Sequence, residues 1–156
     1  MRLLFYILIF YTPCWNYAQT NWEMRADSIV DIATDQLGVG YKYATSNPDN
    51  SFDCSGFVSY VYDSVGLPNS RSSKEYQQLG TNISLDECRK GDCILFTGTN
   101  AKKRVVGHVG IVVSAQEGEL VFIHCSSSKK HFGVVQTEYY TSGYPSRFMG
   151  ARRMTE

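Results

Sequence analysis

The sequence predicts an α+β fold in which helices come first and an antiparallel sheet follows, and three observations carry that prediction. Met24 to Leu37 and Cys54 to Val65 both space their apolar residues with the helical period. Strand-like runs then follow one another at Cys93–Phe96, Val105–Val113 and Leu120–His124, separated by short turns. Strands connected this closely pair antiparallel, because parallel neighbours need long crossovers. Finally, 156 residues with 43% hydrophobic content suit one domain whose core needs no metal or disulfide staple.

Met1-Arg2 followed by Leu3 to Tyr11 is a positive charge and a short apolar run, the pattern of a secretory signal peptide. Cleavage is expected after Ala18, dividing the chain into a signal peptide, 1–18, and a mature domain, 19–156. Cys14 invites a lipoprotein reading, but Tyr11-Thr12-Pro13 is a poor lipidation motif, so a lipid anchor is not expected. In the first helix Ile29, Ile32, Ala33 and Leu37 are the apolar positions, and Gly38 ends it. Ala44 to Ser51 reads as a polar loop leading to Asp53. The second helix places Phe57, Val58, Val61, Tyr62 and Val65 on one face and stops at Gly66-Leu67-Pro68. Arg71 to Leu79 is expected to be a short helix or ordered loop. Gly91-Asp92 is a turn, Ala115 to Gly118 joins two strands, and Gly133–Thr137 and Phe148–Met154 are further strand candidates. There is no internal repeat.

Charge is balanced, with 15 Lys and Arg against 15 Asp and Glu and no basic run, which argues against nucleic acid or an anionic membrane as partner. No membrane span is expected after the signal peptide, and the sequence does not indicate an oligomeric state. Tyr41, Tyr43, Tyr60, Tyr62, Tyr76, Tyr139, Tyr140 and Tyr144 suit a groove for a polar, partly apolar ligand, although half-buried strand positions use tyrosine equally well. Signal removal leaves Cys54, Cys88, Cys93 and Cys125 in a compartment that permits disulfides. A zinc site from Cys88, Cys93, His124 and Cys125 lacks ligand-pair spacing, and Cys125 should face away from His124, so no metal is expected.

The chemistry gathers around Cys54. Phe52-Asp53-Cys54-Ser55-Gly56-Phe57 puts a cysteine in the first turn of a helix, where N–H groups and the dipole favour a thiolate. Asp53 and Ser55 are too polar for a core flank, and Gly56 permits close backbone approach. His108 lies in the apolar strand Val105–Val113; alternation groups it with Val106, Gly110 and Val112, opposite Val109 and Ile111, with Gly110 leaving clearance beside the imidazole. His124 lies on the next strand, while His131 follows a polar turn and reads as solvated surface. A helix-borne cysteine with strand-borne imidazoles suits nucleophilic catalysis, the base being oriented by a further polar group.

Asp53-Cys54-Ser55-Gly56-Phe57, His108-Val109-Gly110-Ile111 and the later His124 resemble the NlpC-type cell-wall cysteine peptidases of the papain-like superfamily. The likeness extends through Leu37 to Tyr43, Leu67-Pro68, Arg71 with Ser73, and Lys90-Gly91-Asp92, covering roughly Ile29 to Met154. It implies a papain-like half-barrel and a secreted or periplasmic thiol peptidase that cuts peptidoglycan stem peptides after D-glutamate, without a cofactor. It further implies Cys54 as nucleophile, His108 as base and His124 as the polar residue that orients it. Tyr41, Asp53, Ser55 and Arg71 are implied as substrate-binding residues, with Tyr41 a candidate oxyanion donor. The alternatives are a catalytically silent wall-binding module, or an amidase or acyl transferase of the same superfamily. Two departures from the family pattern border the expected pocket: Ala44-Thr45 replaces a usual Gly pair, and Tyr76 replaces a usual Gln.

Overall fold

The computed structural model describes residues 21–155, so the expected signal peptide, its cleavage site and Cys14 lie outside the described residues. Helix α1 (Asn21–Asp35) buries Ala26, Ile29, Val30 and Ala33, a single stripe at helical spacing. It ends before Leu37, which is left exposed, and Gly38 at φ +86° turns the chain so that its N–H reaches the Val134 carbonyl at 3.0 Å. The expected loop at Ala44–Ser51 carries short strands instead. β1 (Gly40–Tyr41), β2 (Ser46–Asn47) and β3 (Ser51–Phe52) form a small sheet in the order β1-β3-β2. Its reversal passes through Ala44 at φ +60°, the left-handed region where a glycine would carry no Cβ penalty.

Helix α2 (Cys54–Ser64) buries Phe57, Val58, Val61 and Tyr62. It closes with a Schellman motif: Leu67 N–H donates to the Tyr62 carbonyl at 2.9 Å, and Gly66, at φ +69°, donates to the Asp63 carbonyl at 3.0 Å. The segment after it contains a 3-10 turn, Glu75–Gln78, in which Tyr76 is wholly buried against Tyr62. The substitution at Tyr76 therefore fills the core and does not line the pocket.

The main sheet comprises β4 (Thr81–Ile83), β5 (Cys93–Thr97), β6 (Val106–Gln116), β7 (Glu119–Ser128), β8 (His131–Glu138) and β9 (Phe148–Arg153). Their order is β4-β9-β5-β6-β7-β8, and every pairing is antiparallel, in keeping with the expected α+β class. β4 escapes sequence reading because it is a three-residue edge strand whose Thr81 and Asn82 are exposed. The β6–β7 strands run further than expected, narrowing their turn to the residues around Gly118 at φ +77°.

One face of this sheet sends Cys93, Leu95, Val109, Ile111, Ile123 and Cys125 toward the helices. Ile94, Phe96, Val112 and Phe122 pack on the other side with Tyr139. Val106 joins the helix-facing cluster, not the face of His108, because the β5–β6 register shifts between Phe96 and Thr97 and interrupts the alternation.

Asp92 joins the distant parts of the core. Its carboxylate, wholly buried, accepts from Arg153 Nε at 3.1 Å, Arg153 Nη2 at 2.9 Å and the Arg89 N–H at 2.9 Å. Next to it, the Gly91 carbonyl accepts from the buried Tyr62 hydroxyl at 3.1 Å, fixing α2 to the start of β5. Arg153→Met should therefore strand a buried carboxylate and lower unfolding free energy by about 3 kcal/mol in urea titrations. Adding Asp92→Asn should recover part of that loss, whereas a loss below about 1 kcal/mol would mean that the pair is not holding the core.

Candidate active site

The start of α2 is set by Asp53. With extended backbone at the N-cap, its carboxylate accepts the Gly56 N–H at 2.6 Å, which fixes Cys54 in the first turn. Arg71 clasps the same carboxylate through Nη1 at 3.2 Å and Nη2 at 3.1 Å, and Nη2 also donates to the Thr45 carbonyl at 3.1 Å. Ser55, 5% exposed, donates to the Arg71 carbonyl at 2.8 Å. A Cβ on Gly56 would collide with the Thr45 carbonyl and the Arg71 guanidinium, so this position requires glycine. Asp53, Ser55 and Arg71 were expected to hold substrate; in the free protein most of their polar capacity is used in holding one another.

Cys54 opens onto a groove of about 640 Å³ whose walls include Tyr41, Tyr43, Asp53, Arg71 and Gly107. Backbone N–H groups of Ser55, Val109 and Cys54 itself favour its thiolate. Burial, aided by the nearby Asp53 carboxylate, outweighs those donors and pushes the thiol up to about 11. The thiolate expected from the helix terminus is therefore not the resting form. Tyr41 stands close enough for the Cys54 and Asp53 charges, after burial, to raise its own hydroxyl.

Val109, whose N–H favours the thiolate, follows His108. On the facing strand, His108 Nε2 lies 2.9 Å from His124 Nδ1, and His124 Nε2 lies 3.0 Å from Thr137 Oγ1. Gly110 makes this pairing close: a Cβ there would sit 3.2 Å from His124 Cβ and 3.0 Å from the Ile123 carbonyl. Its clearance is thus taken by β7, not left for a ligand. Phe96, Phe122 and Tyr144 wall the imidazoles, the Tyr144 ring lying 5.8 Å from His108 and 5.2 Å from His124 between centroids. Burial first, then the neighbouring His124 and Arg147 charges, hold His108 well below its usual range; burial and Arg147 bring His124 down to about 3.

Thr137 carries no signal in the sequence, and Tyr144 stands there only as one of the tyrosines suited to a groove. Thr137 belongs to a strand candidate, but its place beside His124 depends on the β7–β8 register that sets it opposite Phe122. Tyr144 arrives from a loop, and only tertiary packing brings it to the imidazoles. Cys88, Cys93 and Cys125 are free thiols, with Cys88 in the outer cluster and the other two in the helix-facing one. They do not converge with His124. Among the described residues no group of three or more metal-ligating side chains could hold an ion. His131, as expected, is exposed.

The imidazoles make stability depend on acid. In the unfolded chain they titrate near 6.5, but the folded protein keeps them neutral to lower pH. As pH falls below about 6.5 the unfolded chain binds protons that the folded chain does not, so stability is lost toward pH 3. Thermal melts should fall steadily over that window, and His124→Gln should flatten the slope. An unchanged slope in the variant would show that His124 is not held neutral.

The NlpC/P60 family model matches residues 38–153. A gamma-DL-glutamyl hydrolase of Bacillus subtilis is 29% identical over 150 residues, covering 95% of this chain and 35% of that protein. The murein DD-endopeptidase MepS/murein LD-carboxypeptidase of Escherichia coli is 32% identical over 127 residues, or 81% of this chain and 61% of that protein. The chain thus spans less than two thirds of either relative. The crystal structure of an NlpC/P60 family protein from Bacillus cereus superposes with a TM-score of 0.73 at 28% identity, over 84% of this chain and 40% of the other. With a family match over most of its length and a solved family structure sharing its fold, this chain belongs to the NlpC/P60 family.

Proposed function

We propose that the protein is a secreted cysteine peptidase that hydrolyses peptidoglycan stem peptides at the bond after D-glutamate, with Cys54, His108 and His124 as its catalytic trio. The observation that carries this reading is the polar chain from His108 through His124 to Thr137, beginning next to Val109, whose N–H favours the Cys54 thiolate. The choice of bond draws on the relative named as a gamma-DL-glutamyl hydrolase. Secretion follows from the signal-like segment 1–18 and from where such a substrate lies.

For His108 Nδ1 to accept the thiol proton, His108 must carry its hydrogen on Nε2 and donate to His124 Nδ1. His124 then carries its hydrogen on Nε2 and donates to Thr137 Oγ1. Because thiol and imidazole both rest neutral, proton transfer to His108 accompanies attack of sulfur on the carbonyl. The tetrahedral oxyanion would be met by N–H groups at the start of α2, with Tyr41 as a second candidate donor. His108 next protonates the departing amine, leaving a thioester on Cys54. Water attacks that thioester with His108 as base, releasing the acid and restoring the thiol. His124 and Thr137 position the base throughout.

Defined muropeptides analysed by mass spectrometry should yield one new amine terminus at the diamino acid, and Cys54→Ala should yield none. Products ending elsewhere would change the assigned bond, whereas activity retained in Cys54→Ala would remove Cys54 from the chemistry. His108→Ala should be as inactive as Cys54→Ala. His124→Ala should retain detectable turnover, His124→Gln should regain part of it, and Thr137→Val should cost about tenfold, all with unchanged folding. Equal inactivation by His108→Ala and His124→Ala, without rescue by Gln, would overturn the orienting role. Iodoacetamide labelling of Cys54 should accelerate as pH rises above about 9; a rate already maximal at pH 6 would show a resting thiolate.

A further inference from the structure

Behind the imidazole pair lies a second cavity, of about 580 Å³, that the mechanism above does not use. His124, Thr137 and Tyr144 line its inner wall, while Lys130, His131 and Arg147 bring positive or protonatable groups to it. Glu138 is the one carboxylate in this lining, and its oxygens already accept the Tyr140 N–H at 3.0 Å and the Thr141 N–H at 2.5 Å. Arg147 stacks on Tyr144 and donates from Nη2 to the Thr97 carbonyl at 2.9 Å, yet its Nε–H is buried without a protein acceptor. Hydroxyls from Ser126, Ser128 and Ser142 complete a polar lining with an excess of cationic groups.

The position of the cavity relative to the bond being cut gives it a chemical meaning. A general acid must protonate the departing amine, so the leaving fragment departs on the imidazole side of Cys54. The groove with Asp53 and Arg71 lies on the helix-terminus side, and the cationic cavity lies beyond the imidazoles. Tyr144, on the cavity wall, stacks its ring near both histidines and lies within electrostatic reach of Cys54. A stem peptide cut before its diamino acid releases a fragment that carries free carboxylate at its far end.

We propose that this cavity is a leaving-side subsite that takes a carboxylate of the departing peptide fragment, with Lys130 and Arg147 as its cationic contacts. The proposal rests on the stem-peptide reading above, so its test uses binding, which can fail separately from turnover. The Cys54→Ala protein would be titrated with a diaminopimelyl-D-alanine dipeptide while the imidazole resonances of His124 and His131 are followed by NMR. Saturable shifts of both are expected at millimolar dipeptide, with affinity falling about tenfold for the dipeptide amide and about tenfold for Lys130→Glu, an exposed position at which the fold should survive. No shift, equal binding of acid and amide, or unchanged affinity in Lys130→Glu would each overturn the subsite. Absence of stem-peptide hydrolysis by the wild type, with the dipeptide bound as expected, would instead sink the assigned activity and leave the carboxylate site standing.

Discussion

The Asp53 carboxylate is the constraint on which the active-site end of this molecule depends. The first turn of α2 and the strap carrying Arg71 meet on it, and the same guanidinium ties in the loop through the Thr45 carbonyl. Capping alone would start the helix, but the guanidinium adds two further bonds and links the cap to the floor of the groove. The arrangement is crowded enough that only glycine fits at position 56. Cys54 is thereby held at one place and in one direction before any substrate arrives, which is what a near-attack geometry requires.

That constraint has an electrostatic cost. A carboxylate beside a half-buried sulfur opposes the thiolate, and burial opposes it more strongly. The imidazoles face the same desolvation in the opposite sense, since burial disfavours their cations. Burial thus leaves the thiol and both imidazoles neutral at rest. The N–H groups of Ser55 and Val109 then matter most when charge develops on sulfur during reaction, because preorganised donors need not reorient at that moment.

The imidazoles are held by the sheet instead of by the helix. β6 and β7 approach each other at Gly110, which sets His108 and His124 within hydrogen-bond reach, and β8 supplies the hydroxyl that terminates the chain of imidazoles. The aromatic wall of Phe96, Phe122 and Tyr144 keeps water from these rings. At the opposite end of the domain, Asp92 and Arg153 hold β5 against β9, so helix and sheet meet at a fixed distance. Cys54 and His108, the proposed nucleophile and base, therefore sit on separate rigid elements whose relative position is decided by the core between them.

Local pattern in the sequence was enough for the class of fold, both helices and the strands around His108 and His124, and it named the residues of the trio proposed above. These are local properties: periodicity of apolar residues, a polar Asp-Cys-Ser run opening a helix, and glycines where helices stop. Tertiary structure alone decided the rest. The alternation that placed Val106 beside His108 was broken by a register shift, Gly110 proved to serve strand approach, and Tyr76 turned inward to the core. Thr137, Tyr144 and the cationic cavity depend on which strands and loops become neighbours, as does the protonation state of Cys54. Register, burial and desolvation arise from contacts between residues far apart in the chain, so no local pattern in the sequence encodes them.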